Sequence, residues 1–211
     1  MRVALMALSF IFFIGCTQVY ELTPQASFSF QQGKKTLTST KATTRVEVQS
    51  AQDSYTPNEP LLFLVLAKSK KPVIFDSTQV ILEQGSKILL PLASDYILSS
   101  NQNFTKSLQD FNIPIPPMTS GGPNPNFVIG PRGYVFIINN MGNDSYFKEI
   151  EFSRRILAAN YLKKNTLNKE EFLGGLVAFI PKDLQAGDFE LKVTIDGEEH
   201  SFKFQLKPIA K

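Results

Sequence analysis

The chain has 211 residues, a formal net charge of +3, one cysteine, one histidine and no tryptophan. A single cysteine excludes an intrachain disulfide, and one cysteine with one histidine cannot furnish a zinc site of the usual Cys and His ligands. With 43% hydrophobic and 19% charged residues, it is neither a disordered acidic chain nor a strongly basic one, and nucleic acid is not an expected partner. Phenylalanine is frequent (18 residues) and the chain is neither Ala-rich nor Glu/Lys-rich, a balance that leans towards strands.

The first element, residues 1–15, reads as a leader. Met1-Arg2 supplies a positive start, and the apolar run that follows, from Val3 to Ile14, is broken only by Ser9. About a dozen residues rise only ~18 Å as a helix against a hydrocarbon core of ~30 Å, so the run is too short for a permanent span. Charge, short apolar stretch and small residue form the secretory pattern. The tetrapeptide Phe13-Ile14-Gly15-Cys16 resembles the lipobox of bacterial lipoproteins, with Gly before the cut and the sole cysteine after it. The resemblance implies acylation at Cys16, and two or three acyl chains hold a protein stably to a bilayer where one does not. Thr17 follows in place of the Asp that retains such proteins at the inner membrane. The expected address is therefore the cell envelope, lipid-anchored at the outer membrane and facing the periplasm.

Residues 16–42, rich in Gln, Thr and Ser, read as a tether that ends in an early strand around Phe28-Ser29-Phe30. The folded domain is expected over residues 43–211. Val46 and Val48 alternate with polar neighbours as a half-buried strand, and residues 53–60 form a turn. The run Leu61-Leu62-Phe63-Leu64-Val65-Leu66-Ala67 is apolar on both faces, as a central sandwich strand is. Short strands follow at 72–75, 79–84 and 87–92. A loop and helix insertion is expected at about residues 104–165. Within it, residues 112–132 hold so many prolines and glycines that no regular ladder is expected. One helix is predicted, over residues 146–164, with Ile150, Arg154, Leu157 and Tyr161 on one face.

The C-terminal part alternates most clearly. Residues 172–180 read as a strand with Gly174-Gly175 at its start. Phe189, Leu191, Val193 and Ile195 alternate with polar residues, and Asp196-Gly197 signals a two-residue hairpin. That turn sets Ile195 opposite Glu198, Val193 opposite His200, Leu191 opposite Phe202 and Phe189 opposite Phe204. The fold expected is mainly β, an immunoglobulin-like antiparallel β-sandwich with one helix and a long Pro/Gly-rich insert.

The segments Tyr161-Leu162-Lys163-Lys164-Asn165-Thr166-Leu167, Gly175-Leu176-Val177-Ala178-Phe179 and Gly187-Asp188-Phe189-Glu190-Leu191-Lys192-Val193 resemble a broad group of Gram-negative lipoproteins. In these an immunoglobulin-like sandwich carries a helix before its last strands. The resemblance implies the fold and brings no activity with it. Where such proteins often have Pro-Gly, this chain has Asn168-Lys169-Glu170-Glu171.

Chemistry is sparse in the sequence. His200 is the sole imidazole, and the hairpin register places it on the apolar face, where a packing role with one hydrogen bond outweighs that of a lone general base. Nucleophile-elbow and phosphate-loop patterns are absent. The acidic pairs Glu149 with Glu151, Glu170-Glu171 and Glu198-Glu199 read as solvated surface. Arg154, Arg155, Lys163 and Lys164 make the predicted helix basic, most simply as a solvated face. Apolar residues around the prolines, Ile113, Ile115, Met118 and Phe127, together with Phe104 and Phe111, either fold onto the sandwich or form a partner contact. The reading that follows is a non-enzymatic, membrane-anchored interaction or structural module without a cofactor, its partner an envelope protein or glycan. Its rivals are an envelope hydrolase using carboxylates such as Asp95, Asp110 or Asp144, and a small lipid or metabolite carrier.

Overall fold

A computed structural model describes residues 18–57, 59–115, 127–129, 135–137, 145–182 and 184–209. Two antiparallel sheets face each other. The first has the order β5-β1-β15-β14-β8-β9 and is built from β1 (Tyr20–Pro24), β5 (Ser54–Tyr55), β8 (Val80–Gln84), β9 (Lys87–Leu89), β14 (Gly187–Ile195) and β15 (Glu198–Pro208). The second has the order β13-β6-β4-β3-β2 and comprises β2 (Ser29–Gln31), β3 (Lys34–Thr40), β4 (Thr44–Ser50), β6 (Leu61–Ser69) and β13 (Leu173–Phe179). Two short ladders complete the strands: β7 (Val73–Phe75) with β12 (Asn165–Leu167), and β10 (Phe127–Ile129) with β11 (Val135–Ile137). The chain is mainly β, an antiparallel sandwich.

The last hairpin has the expected register, Ile195↔Glu198 through Phe189↔Phe204. Asp196 and Gly197 both take positive φ, 51° and 78°, which is what a two-residue turn matching the strand twist demands. Phe189, Phe202 and Phe204 therefore point together into the inter-sheet core, where the Phe204 ring lies 5.3 Å from both Phe63 and Phe189.

Strand β6 explains its own composition. Leu61, Phe63, Val65 and Ala67 face the first sheet. Leu62, Leu64 and Leu66 face the other way, into a second core with Leu176 and Ala178 of β13. That outer face is covered by α1 (Ser94–Ser99), α2 (Thr105–Asp110) and α3 (Ser145–Ala159), so sheet, sheet and helices make three layers.

Four expectations are corrected here. The described part of the expected tether, residues 18–42, is folded: β1 pairs with β15 and β5, and β3 pairs with β4, so the folded domain starts well before residue 43. Leu22 and Leu37 are buried in the inter-sheet core, which outweighs the polar composition around them. Three helices, not one, occur among the described residues. Helices α1 and α2 have six residues each, and neither Ala93 nor Phe104 supplies a side-chain cap, so they lack the usual start signals and depend on burying Ile97 and Leu108. Helix α3 stops at Ala159, short of residue 164. Tyr161 and Leu162 leave it to run beside β13, with Leu162 N–H donating to Leu176 carbonyl and Leu176 N–H to Asn160 carbonyl. This crossing requires Gly175, because a Cβ there would lie 2.7 Å from Leu162 N. Finally, the Pro-rich stretch does hold a ladder strand, β10, in the proline-free residues between Pro125 and Pro131.

Where Pro-Gly was the resemblance's usual turn, Asn168 does the work. Its Oδ1 accepts from the N–H groups of Glu170 and Glu171 at 2.9 and 3.2 Å, closing an Asx turn. Among the described residues no helix is long and apolar enough to cross a membrane.

Candidate functional site

The pole of the sandwich at the Asp196-Gly197 hairpin gathers most of the polar chemistry. Strand β15 brings Glu198 and His200 to this end on adjacent inward positions, facing Ser39 of β3 and Thr44 of β4 across the inter-sheet gap. Ser39 Oγ lies 2.9 Å from His200 Nδ1, and Thr44 Oγ1 lies 2.8 Å from Nε2. The Thr44 hydroxyl donates to Glu198, and the same carboxylate accepts from the backbone N–H groups of Thr43 and Thr44. A hydroxyl gives only one proton, so Thr44 must accept from His200 Nε2–H; in the neutral imidazole that burial favours, Nδ1 then accepts from Ser39. The result is one directed chain, Ser39 to His200 to Thr44 to Glu198, through a neutral imidazole.

Charge follows from this wiring. Burial lowers the His200 pKa, and the nearby Lys41 lowers it further against the opposing pull of Glu198. Glu198 is lowered to about 2, mainly by the Thr44 hydroxyl bond, with the Thr43 and Thr44 backbone bonds adding to it. A serine beside an imidazole is the first requirement of a nucleophilic relay. Here the imidazole is fully buried and reaches the carboxylate only through Thr44, so the chain acts as a polar latch between the two sheets.

Immediately outside the latch lies a depression of about 300 Å³ lined by Thr40, Lys41, Thr43, Arg45, Lys68, Ser69, Lys70 and Lys169. The β3–β4 turn, the end of β6 and the β12–β13 link each deliver part of it. Thr44↔Ser69 and Arg45↔Lys68 are cross-strand partners, Lys70 N–H donates to Thr43 carbonyl, and Ser69 N–H donates to Asn168 carbonyl, which sets Lys169 beside them. Arg45 is fixed by Glu47, 3.1 Å away, and lies with Lys68 against the Phe172 ring, at 5.5 and 4.9 Å respectively. The five cations were all visible in the sequence; what was not visible was the β4–β6 pairing that merges residues 41–45, 68–70 and 169 into one surface.

The residues singled out from sequence lie elsewhere. Cys16, Met118 and Asp144 fall outside the described residues. Ile113 is fully buried in the outer core, and Ile115 packs against the same cluster, as do Phe104 and Phe111, so Ile113 is corrected from partner contact to core. Phe127 stands opposite Ile137 in the β10–β11 ladder. Asp95 is exposed in the first turn of α1, and Asp110 pairs with Lys106 at 3.1 Å. Of the basic residues of the predicted helix, Arg154 donates to Gln102 carbonyl and Arg155 pairs with Glu151; Lys163 and Lys164 lie past the helix end, and Lys163 borders one depression with Arg155. Among the described residues no three His, Cys, Asp or Glu side chains are grouped as a metal site. The chain matches no family model, no curated protein and no solved structure.

Proposed function

We propose that this chain is a lipid-anchored envelope lipoprotein, attached through Cys16 at the outer membrane and facing the periplasm, whose immunoglobulin-like sandwich is a non-enzymatic interaction or structural module. The observation that carries this reading is Phe13-Ile14-Gly15-Cys16: the sole cysteine stands at the end of a short apolar run and four residues before the first strand. Four residue steps reach at most ~14 Å, so an acylated Cys16 would hold the Tyr20 end of the sandwich close to the bilayer, with no long tether between them. The non-catalytic part of the reading is supported by the closed latch at His200, whose two ring nitrogens are both engaged inside the protein.

Metabolic labelling with palmitate tests the anchor. The wild-type chain should take up label and fractionate with membranes, and Cys16→Ser should take up none. An unmodified wild-type chain would remove the anchor and with it the envelope assignment.

A further inference from the structure

The depression at the hairpin pole carries more charge than the fold needs. Lys41, Lys68, Lys70 and Lys169 converge on it from three separate segments, and among the described residues none of them forms an ion pair. Two of its near acids are already engaged: Glu47 bonds Arg45, and Glu198 accepts from Thr43 and Thr44. Glu170 and Glu171 follow Lys169 in the chain, and their backbone is tied to Asn168.

We propose that this depression binds a phosphate-bearing ligand, held by Lys41, Lys68, Lys70 and Lys169 with the hydroxyls of Thr40 and Thr43. The inference rests on the domain being an interaction module, as read above, and names the chemistry of what it engages. Three features bear on the ligand: the charge type points to phosphate, the size bounds the body attached to it, and the position bounds its source. Lys41, Lys70 and Lys169 are exposed ammonium groups, compact point charges suited to a tetrahedral dianion, whereas Arg45 is committed to Glu47 and shares the Phe172 ring with Lys68. The volume of about 300 Å³ sits at the small end of ligand pockets (~300–1,000 Å³), room for a phosphate and a compact body attached to it. The third feature is position. Eleven residues of β15, at ~3.4 Å each, separate this pole by roughly 34 Å from the Pro208 end that pairs with Tyr20. That is several times the Debye length of ~8 Å, so headgroups of the leaflet holding a Cys16 anchor lie beyond its field. The phosphate therefore comes from solution or from a surface facing the anchored one.

Calorimetric titration of the full chain with pyrophosphate tests the site. One molecule should bind per chain, with affinity falling as salt is raised. Lys70→Glu and Lys169→Glu should each weaken binding at least tenfold, and Lys207→Glu, on the exposed side of β15 at the far pole, should leave it within twofold. Lys70→Gln, with a melting temperature matching wild type, should also weaken binding, which separates loss of charge from loss of fold. Absence of binding up to about 10 mM pyrophosphate, or an equal loss in Lys207→Glu, overturns the proposal. Vesicles containing phosphatidylglycerol distinguish the sources. Sedimentation with vesicles that pyrophosphate competes away assigns the phosphate to a lipid surface, and pyrophosphate binding without sedimentation assigns it to a soluble ligand. Vesicle binding that pyrophosphate does not compete with overturns the site. Titration and palmitate labelling are separate readouts, so failure of one is distinguishable from failure of the other.

Discussion

The two faces of the β13-β6-β4-β3-β2 sheet are buried by different means. Towards the other sheet, burial is achieved by alternation: Val46 and Val48 of β4, Phe189 to Ile195 of β14 and Phe202 to Leu206 of β15 place an apolar residue at every second position, and strands distant in sequence interleave to fill the gap. Towards the helices, burial is achieved by short pieces pinned with hydrogen bonds. Gln52 accepts from Leu62 N–H at 3.1 Å and donates to Pro60 carbonyl, Ser107 donates to the same carbonyl, and Ser153 accepts from Phe104 N–H while donating to Ile150 carbonyl. Tyr161 adds a further pin, donating to Leu92 carbonyl at 2.6 Å, and burial raises its pKa to about 12. A core of the first kind is specified by pattern. A core of the second kind is specified by individual polar contacts, each satisfied where water cannot reach.

If β6 makes both cores one cooperative unit, truncation on either face should lower a single unfolding transition. Phe204→Ala, in the inter-sheet core, should cost ~3–5 kcal/mol, and Leu64→Ala, in the outer core, ~2–5 kcal/mol. Calorimetry that resolves two transitions in Leu64→Ala would show instead that the helical layer melts independently.

A smaller effect concerns the latch that ties the sheets together at one pole. The folded-state pKa of His200 lies below the ordinary 6.5, so as pH falls the unfolded chain binds its proton first. The associated stability is therefore complete above 6.5 and is lost as pH drops below it. Glu198, lowered to about 2 from 4.5, acts in the same direction, but only once pH falls below 4.5. Urea denaturation between neutrality and pH 5 should show wild-type stability declining, with a flatter profile in His200→Gln. Parallel profiles would mean that the imidazole is not held neutral by the fold.

The smallest effect belongs to the outward side of the hairpin. Lys203 pairs with Glu190 at 3.4 Å while remaining 66% exposed, so Lys203→Ala should fall within ~0.5 kcal/mol of wild type. A cost comparable to that of Phe204→Ala would place the wrong face of β15 in the core.

The same contrast decides what could be read from the residues alone. Alternation and Asp196-Gly197 gave the last hairpin residue by residue, because a two-residue turn leaves the register no freedom. The doubly apolar run at Leu61 correctly signalled burial on both faces, but a run of that kind does not say what covers the second face. Helices α1 and α2 are too short to express a period and have no caps to announce them. Strand β1 was hidden for another reason: Tyr20-Glu21-Leu22-Thr23-Pro24 has one fully apolar inward residue and owes its place to pairing with β15. The polar pole escaped because its lysines and threonines are unremarkable in each segment, and only long-range pairing assembles them.

That pairing of β1 with β15 bears on how the chain reaches its destination. Residues 20–24 pair along their whole length only with residues 204–208, while β5 meets just Tyr20 and Glu21, so the first of the described strands waits for the last of them. Until β15 arrives, the first sheet lacks the strand that joins its two halves, and the non-local contacts on which the topology depends cannot close. During synthesis, an unfinished copy of this chain therefore cannot lock into its native sandwich. Should the leader proposed above direct export, a chain held back in this way would meet a translocation channel before its sandwich had closed.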